Sequence, residues 1–171
     1  VGYSSTLAYL ETYDNKSVLT LARTGVGYNH VAYIPSITYS DVIYVTIRGY
    51  FHNPCNFRYG DIAYDDAFRI RVQKGNKLYE IILDPDGSNK GIYITTSLTG
   101  ANKVSSSMLP NDTYGELTFK IDTVNNLCDG YVDGELVFSS AVIGYAKTAT
   151  DSFQMAVAKY SGTDNVTGIK A

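Results

Sequence analysis

The sequence has no tryptophan, two cysteines and two histidines in 171 residues, and the scarcity of cysteine and of histidine each removes a class of function. Cys55 and Cys128 are too few and too far apart for a zinc motif or a disulfide framework. They read as idle or buried thiols, with one long-range bridge as the alternative in an oxidising compartment. His30 and His52 have no recognisable nucleophile motif beside them, so acyl transfer has no support. Lys and Arg number 14 against 17 Asp and Glu, a net charge of -3, and no basic patch stands out. Nucleic acid is therefore not an expected partner. No apolar run is long enough to cross a bilayer, so membrane insertion is not expected either. The sequence starts at Val1 with no initiator Met and no charged n-region followed by an apolar h-region, and the chain reads as one domain, residues 1–171, excised from a larger protein or processed from a longer chain.

What the sequence has in quantity is tyrosine, with 16 against 6 phenylalanines. A tyrosine ring is apolar bulk, but its hydroxyl must be wet or paired, which places many of these rings at strand surfaces and rims. Such rings give large, rigid contact area at low entropic cost. Strand propensity alone would also account for most of them.

Period-2 alternation runs through most of the chain. In "VIYVTIRGYF" from Val42, Ile43, Val45, Ile47 and Phe51 form one face, and Tyr44, Thr46, Arg48 and Tyr50 the other. "FRIRVQKGNKLYEIIL" repeats the pattern with Phe68, Ile70 and Val72 inward and Arg69, Arg71 and Gln73 outward, then turns at Lys74–Lys77. A further turn at Pro85-Asp86-Gly87 leads to a strand around Ile92 to Thr96, so three strands meander. Ser97 to Gly115 is polar and rich in turn formers, a long surface connection with room for one short strand. Beyond it, Leu117, Phe119 and Ile121 alternate inward, a turn falls near Asn125-Asn126, and Asp133-Gly134 supplies a two-residue type I′ hairpin turn. Gly130, inside a strand, marks a bulge or a close approach.

These residues carry a resemblance. "GELTFKIDTVNNLCDGYVDGELVF" resembles the late hairpin of concanavalin A-like lectin/glucanase jelly-roll domains, laminin-G-like modules included. "SFQMAVAKYSGTDNVTGIKA" is similar to their last strand pair and "FRIRVQKGNKLYEIIL" to their central meander. The resemblance implies an all-β, two-sheet antiparallel β-sandwich, which the independent run of short strands and turns also predicts. It implies a choice among hydrolases and lyases, lectins, carbohydrate-binding modules and protein-binding modules. Hydrolases of this fold carry a Glu-x-Asp-x-x-Glu run, and Glu11, Glu80, Glu116 and Glu135 are each isolated here. A lyase using Tyr with Arg or His is the remaining catalytic alternative. Relatives of this fold often bind calcium, and Asp84 and Asp86 in "DPDGSN" are the calcium candidates, but the spacing of a calcium loop is missing and a tight turn explains them better. Asp61, Asp65 and Asp66 read as a solvated acidic loop. No cofactor is expected.

What remains is a surface. Tyr44, Arg48, Tyr50 and His52 on one strand, Asn53 and Tyr59 in the loop after it, and Arg69, Arg71 and Gln73 on the next hairpin mix rings with forked donors. Rings stack on the C–H faces of sugars, and Arg, Asn and Gln hydrogen-bond their hydroxyls. The expected function is non-catalytic binding of a glycan or polysaccharide by an extracellular, cell-surface or virion adhesin. The composition is similar to that of host-recognition domains on bacteriophage baseplates and tail fibres. A laminin-G-like protein-interaction module is the alternative.

Overall fold

The computed structural model describes residues 6–13, 16–23, 27–35, 38–52, 67–84, 90–98, 100–109, 113–159 and 167–170, with side chains over 38–49, 68–83, 90–98, 100–109 and 113–155. Its strands are β1 (Thr6–Tyr13), β2 (Lys16–Arg23), β3 (Gly27–Pro35), β4 (Val42–His52), β5 (Ala67–Lys74), β6 (Lys77–Asp84) and β7 (Gly91–Ser97), then β8 (Gly100–Ser105), β9 (Tyr114–Asp122), β10 (Leu127–Val132), β11 (Glu135–Val142), β12 (Tyr145–Ala146), β13 (Ser152–Lys159) and β14 (Thr167–Lys170). No helix occurs among the described residues, so none there could cross a membrane.

The protein is an all-β sandwich of two antiparallel sheets. The first runs β1-β2-β14-β4-β9-β10-β11 and the second β3-β13-β5-β6-β7-β8, with β12 added to β6. The predicted meander from β5 to β7 is present, and it continues into β8, the short strand expected between Ser97 and Gly115. The chain changes sheet between β4 and β5, so these consecutive strands lie in opposite layers.

The core is the space between the layers. From the first sheet it takes Ile43, Val45, Ile47, Leu117, Phe119, Ile121 and Cys128; from the second it takes Phe68, Ile70, Val72, Ile81, Leu83, Ile92 and Ile94. Each such side chain contributes on the order of 1.5–3 kcal/mol when removed from water. Met108 and Leu109, two apolar residues in an otherwise polar connection, also enter this core, as does Ile143. At one end Lys74 ties the layers together, its ammonium donating to Ser40 O at 2.8 Å, Asp41 Oδ1 at 3.1 Å and Thr123 Oγ1 at 2.9 Å.

The β9–β11 meander shows how local chemistry sets local shape. Asp133 and Gly134 have φ of 49° and 82°, the positive pair that a type I′ turn requires. Asp133 Oδ1 also accepts the Glu116 N–H at 2.8 Å. Opposite β10, strand β11 is irregular: Cys128 pairs with Ala141, Gly130 with Phe138 and Tyr131 with Leu136, so β11 carries extra residues in two places. At the first, Ser140 takes φ 52° and its N–H donates to Asp129 Oδ1 at 2.8 Å. The Phe138 ring lies over Gly130, where an added Cβ would come within 2.0 Å of it.

Two outcomes follow from this packing. Gly130→Ala should destabilise by about 1–3 kcal/mol through overpacking against Phe138. Phe138→Leu in the same chain should recover part of that loss, read as non-additivity in denaturant melts of the single and double variants. The second outcome concerns alkali. Cys128 is a free, fully buried thiol whose pKa burial and the Asp129 charge push from 9.0 to about 12. Burial and Asp151 push the Tyr39 phenol from 10.0 to about 12. Both groups hold protons more tightly folded than unfolded, so stability is level below the unfolded pKa values and declines between about pH 9 and 12. Urea midpoints across that range should fall, and Cys128→Ala should flatten the early part of the fall.

Candidate functional site

The outer face of the first sheet is built from the residues that alternate with the core. Across β4, β9, β10 and β11, the register aligns them in rows. The first row is Val42, Asp122, Leu127 and Val142, and the next is Tyr44, Lys120 and Asp129. Thr46, Thr118, Tyr131 and Leu136 follow, then Arg48 beside Glu116. Of the exposed large apolar side chains among the described residues, Val42, Tyr44, Tyr114, Leu136 and Val142 belong to this face, against Leu98 and Val124 elsewhere. Tyr44 is 65% exposed.

The polar groups between the rings are held in place. Arg48 Nε donates to Glu116 Oε2 at 2.5 Å, and Lys120 Nζ donates to Asp129 Oδ2 at 3.2 Å. The Thr46 and Thr118 hydroxyls lie 2.9 Å apart, and Thr118 also donates to Glu116 Oε1. The hydrogen bond from Arg48 lowers the Glu116 pKa, and the same contact raises that of Arg48. Asp129, by hydrogen bond and charge, raises the pKa of Lys120, with smaller contributions from Tyr44 and Tyr131. Glu116 is thus kept ionised, the wrong state for a proton donor, and the paired charges leave the centre of the face balanced.

The structure separates the residues that the sequence groups together. Tyr44 and Arg48 stand on the open outer face of the first sheet, whereas Arg69, Arg71 and Gln73 are on the outer side of the second, across the whole sandwich. The second outer side is not a solvated face. Arg69 is 2% exposed and Glu80 3%, Gln73 and Thr95 are buried with them, and Ile82, Tyr93 and Ala101 form a small apolar cluster there. Arg69 Nη1 and Arg71 Nε both donate to Glu80 Oε1, at 3.2 Å and 2.7 Å. Gln73 Nε2 donates to the carbonyls of Gly75 and Lys147. The backbones of Tyr50 and His52 continue β4, pairing with Lys170 and Gly168. The side chains of Tyr50 and His52, together with Asn53, Tyr59, Cys55 and the calcium candidate Asp86, lie outside the described residues, as does the side chain of Asp84.

Lys120, Asp129 and Tyr131 are members of the exposed face that sequence reasoning passed over. Their signal was the same alternation: "TFKID" and "LCDGYV" each place them opposite core residues. Among the described residues, no three of His, Cys, Asp and Glu converge as a metal-ligand group.

No protein-family model matches the chain, and no curated protein matches it.

The contrast between the two outer sides gives a direct test. Glu80→Ala should cost on the order of 3 kcal/mol, because it leaves the buried Arg69 and the neighbouring Arg71 without the carboxylate they share. Arg48→Ala, in an exposed pair, should leave the thermal midpoint close to that of the parent. Melts of the two variants side by side check the assignment.

Proposed function

We propose that this domain is a non-catalytic carbohydrate-binding module, and that its sugar platform is the outer face of β4, β9 and β10. The observation that supports this reading is the row formed by the exposed Tyr44 ring and the Lys120–Asp129 pair, with Tyr131 one row away. Strands are about 5 Å apart, so a ring on β4 and a ring on β10 are offset laterally by about 10 Å. That spacing suits an extended oligosaccharide lying across the strands, with a ring stacked at either side and hydroxyls meeting fixed charges between them. Strands are a rigid base, so little ordering cost falls on the protein. In this reading the domain is the adhesive part of a larger surface or virion protein.

A second reading has its own observation. Leu136 and Val142 are 56% and 62% exposed, and with Val42 they place apolar side chains along the same sheet. Apolar contacts of that kind suit the dry centre of a protein–protein interface. A laminin-G-like interaction module would use this side of the face.

Glycan-array screening followed by calorimetric titration separates the two. Tyr44→Ala and Tyr131→Ala should each weaken binding to the identified glycan by on the order of 1–3 kcal/mol, while melting is nearly unchanged. Leu136→Ser should leave glycan affinity intact. Full affinity in both tyrosine variants would exclude this face as the sugar platform.

A further inference from the structure

A pocket of about 270 Å³ opens at the end of the sandwich where Lys74, Asn76 and Lys77 of the β5–β6 hairpin meet Asp41 and Thr123 of the first sheet, with Tyr79 beneath them. Its two lysines are partnered differently. Lys74 has used its donors: an ammonium carries three, and they go to Ser40 O, Asp41 Oδ1 and Thr123 Oγ1. Lys77 Nζ donates to the neutral Asn126 Oδ1 at 2.7 Å, and it has no carboxylate partner among the described residues. Two of its donors and an unneutralised charge are left at the pocket.

The surroundings fix that ammonium and supply complementary groups. Asn126 Oδ1 is also within 3.2 Å of the Tyr79 hydroxyl, which lies 3.2 Å from Thr123 O as well. Tyr79 has one hydrogen to give, so its oxygen keeps acceptor capacity. Burial and the Asp122 charge raise its pKa, so the phenol is neutral at ordinary pH. Asn76 offers an exposed amide, and Val124 an apolar wall. The volume falls just under the roughly 300 Å³ at which drug-sized pockets begin, which suits one ring and not a chain.

We infer that this end pocket is a second ligand site, sharing no residue with the sheet-face platform, and that it takes one polyhydroxylated ring bearing a carboxylate. The carboxylate meets Lys77 in a charge-assisted pair, and the ring hydroxyls meet Tyr79, Asn76 and Asp41. Free sugar acids and the terminal uronate of an acidic polysaccharide present the same chemistry.

Titration of the full chain with glucuronate, glucose and acetate, followed by amide resonances in ¹⁵N-correlated spectra, tests the assignment. Glucuronate should shift Lys77, Thr123 and Val124 saturably, with glucose and acetate each about tenfold weaker. Lys77→Gln should reduce glucuronate to the level of glucose, and Lys77→Arg should retain the preference. Tyr44→Ala should change nothing here, so loss of the sheet-face site and loss of this one are read separately. An oligosaccharide ending in glucuronate that outbinds the free acid would assign the chain end as ligand, and equal binding would assign the free acid. The inference is overturned if glucuronate gives no saturable shift, if glucose or acetate binds equally well, or if Lys77→Gln keeps the preference.

Discussion

Which side chains turn away from the core on the two sheets is decided by one constraint, the pleat of paired strands. Successive side chains must point to opposite sides, so committing Ile43, Val45 and Ile47 to the core commits Tyr44, Thr46 and Arg48 to the outside. The same holds in the partner strand, where Leu117, Phe119 and Ile121 force Glu116, Thr118 and Lys120 outward. A one-residue slip would bury Arg48 and Lys120 and expose two rows of isoleucine, valine and phenylalanine. The cross-strand grid of rings and ion pairs is therefore as rigidly specified as the core behind it.

The two outer sides obey this rule and end in different states. On the first sheet, charges are exposed and their pairings position donors and acceptors more than they stabilise the fold. On the second, Glu80 is buried between Arg69 and Arg71, where removing the carboxylate leaves two guanidinium groups without the charge they share. Outward from a sheet is a direction along the strand normal, and on the second sheet that direction does not coincide with solvent access.

This distinction marks the boundary of what the sequence made legible. Alternation and turn chemistry located β4 to β7 and β9 to β11, and the Asp133-Gly134 turn has the dihedrals its residues demand. Gly130 proved to be both the close approach and the neighbour of a bulge that a strand glycine signals. Which strands become neighbours is a long-range matter that no local window contains. Tyr44 and Arg69 therefore looked like one surface, although β4 and β5 lie in opposite sheets. Met108 and Leu109 went unread because two apolar residues in a polar stretch have no period. The end pocket was invisible for a related reason: Asp41, Lys77 and Thr123 come from three segments far apart in the sequence.

The irregular strand β11 closes the first sheet, pairing with β10 alone among the described residues. An incoming strand needs an even succession of amides and carbonyls, and β11 breaks step at Val137 and again at Ser139-Ser140. This edge is therefore a poor template for a strand of a second copy, which would lose the ladder at both breaks.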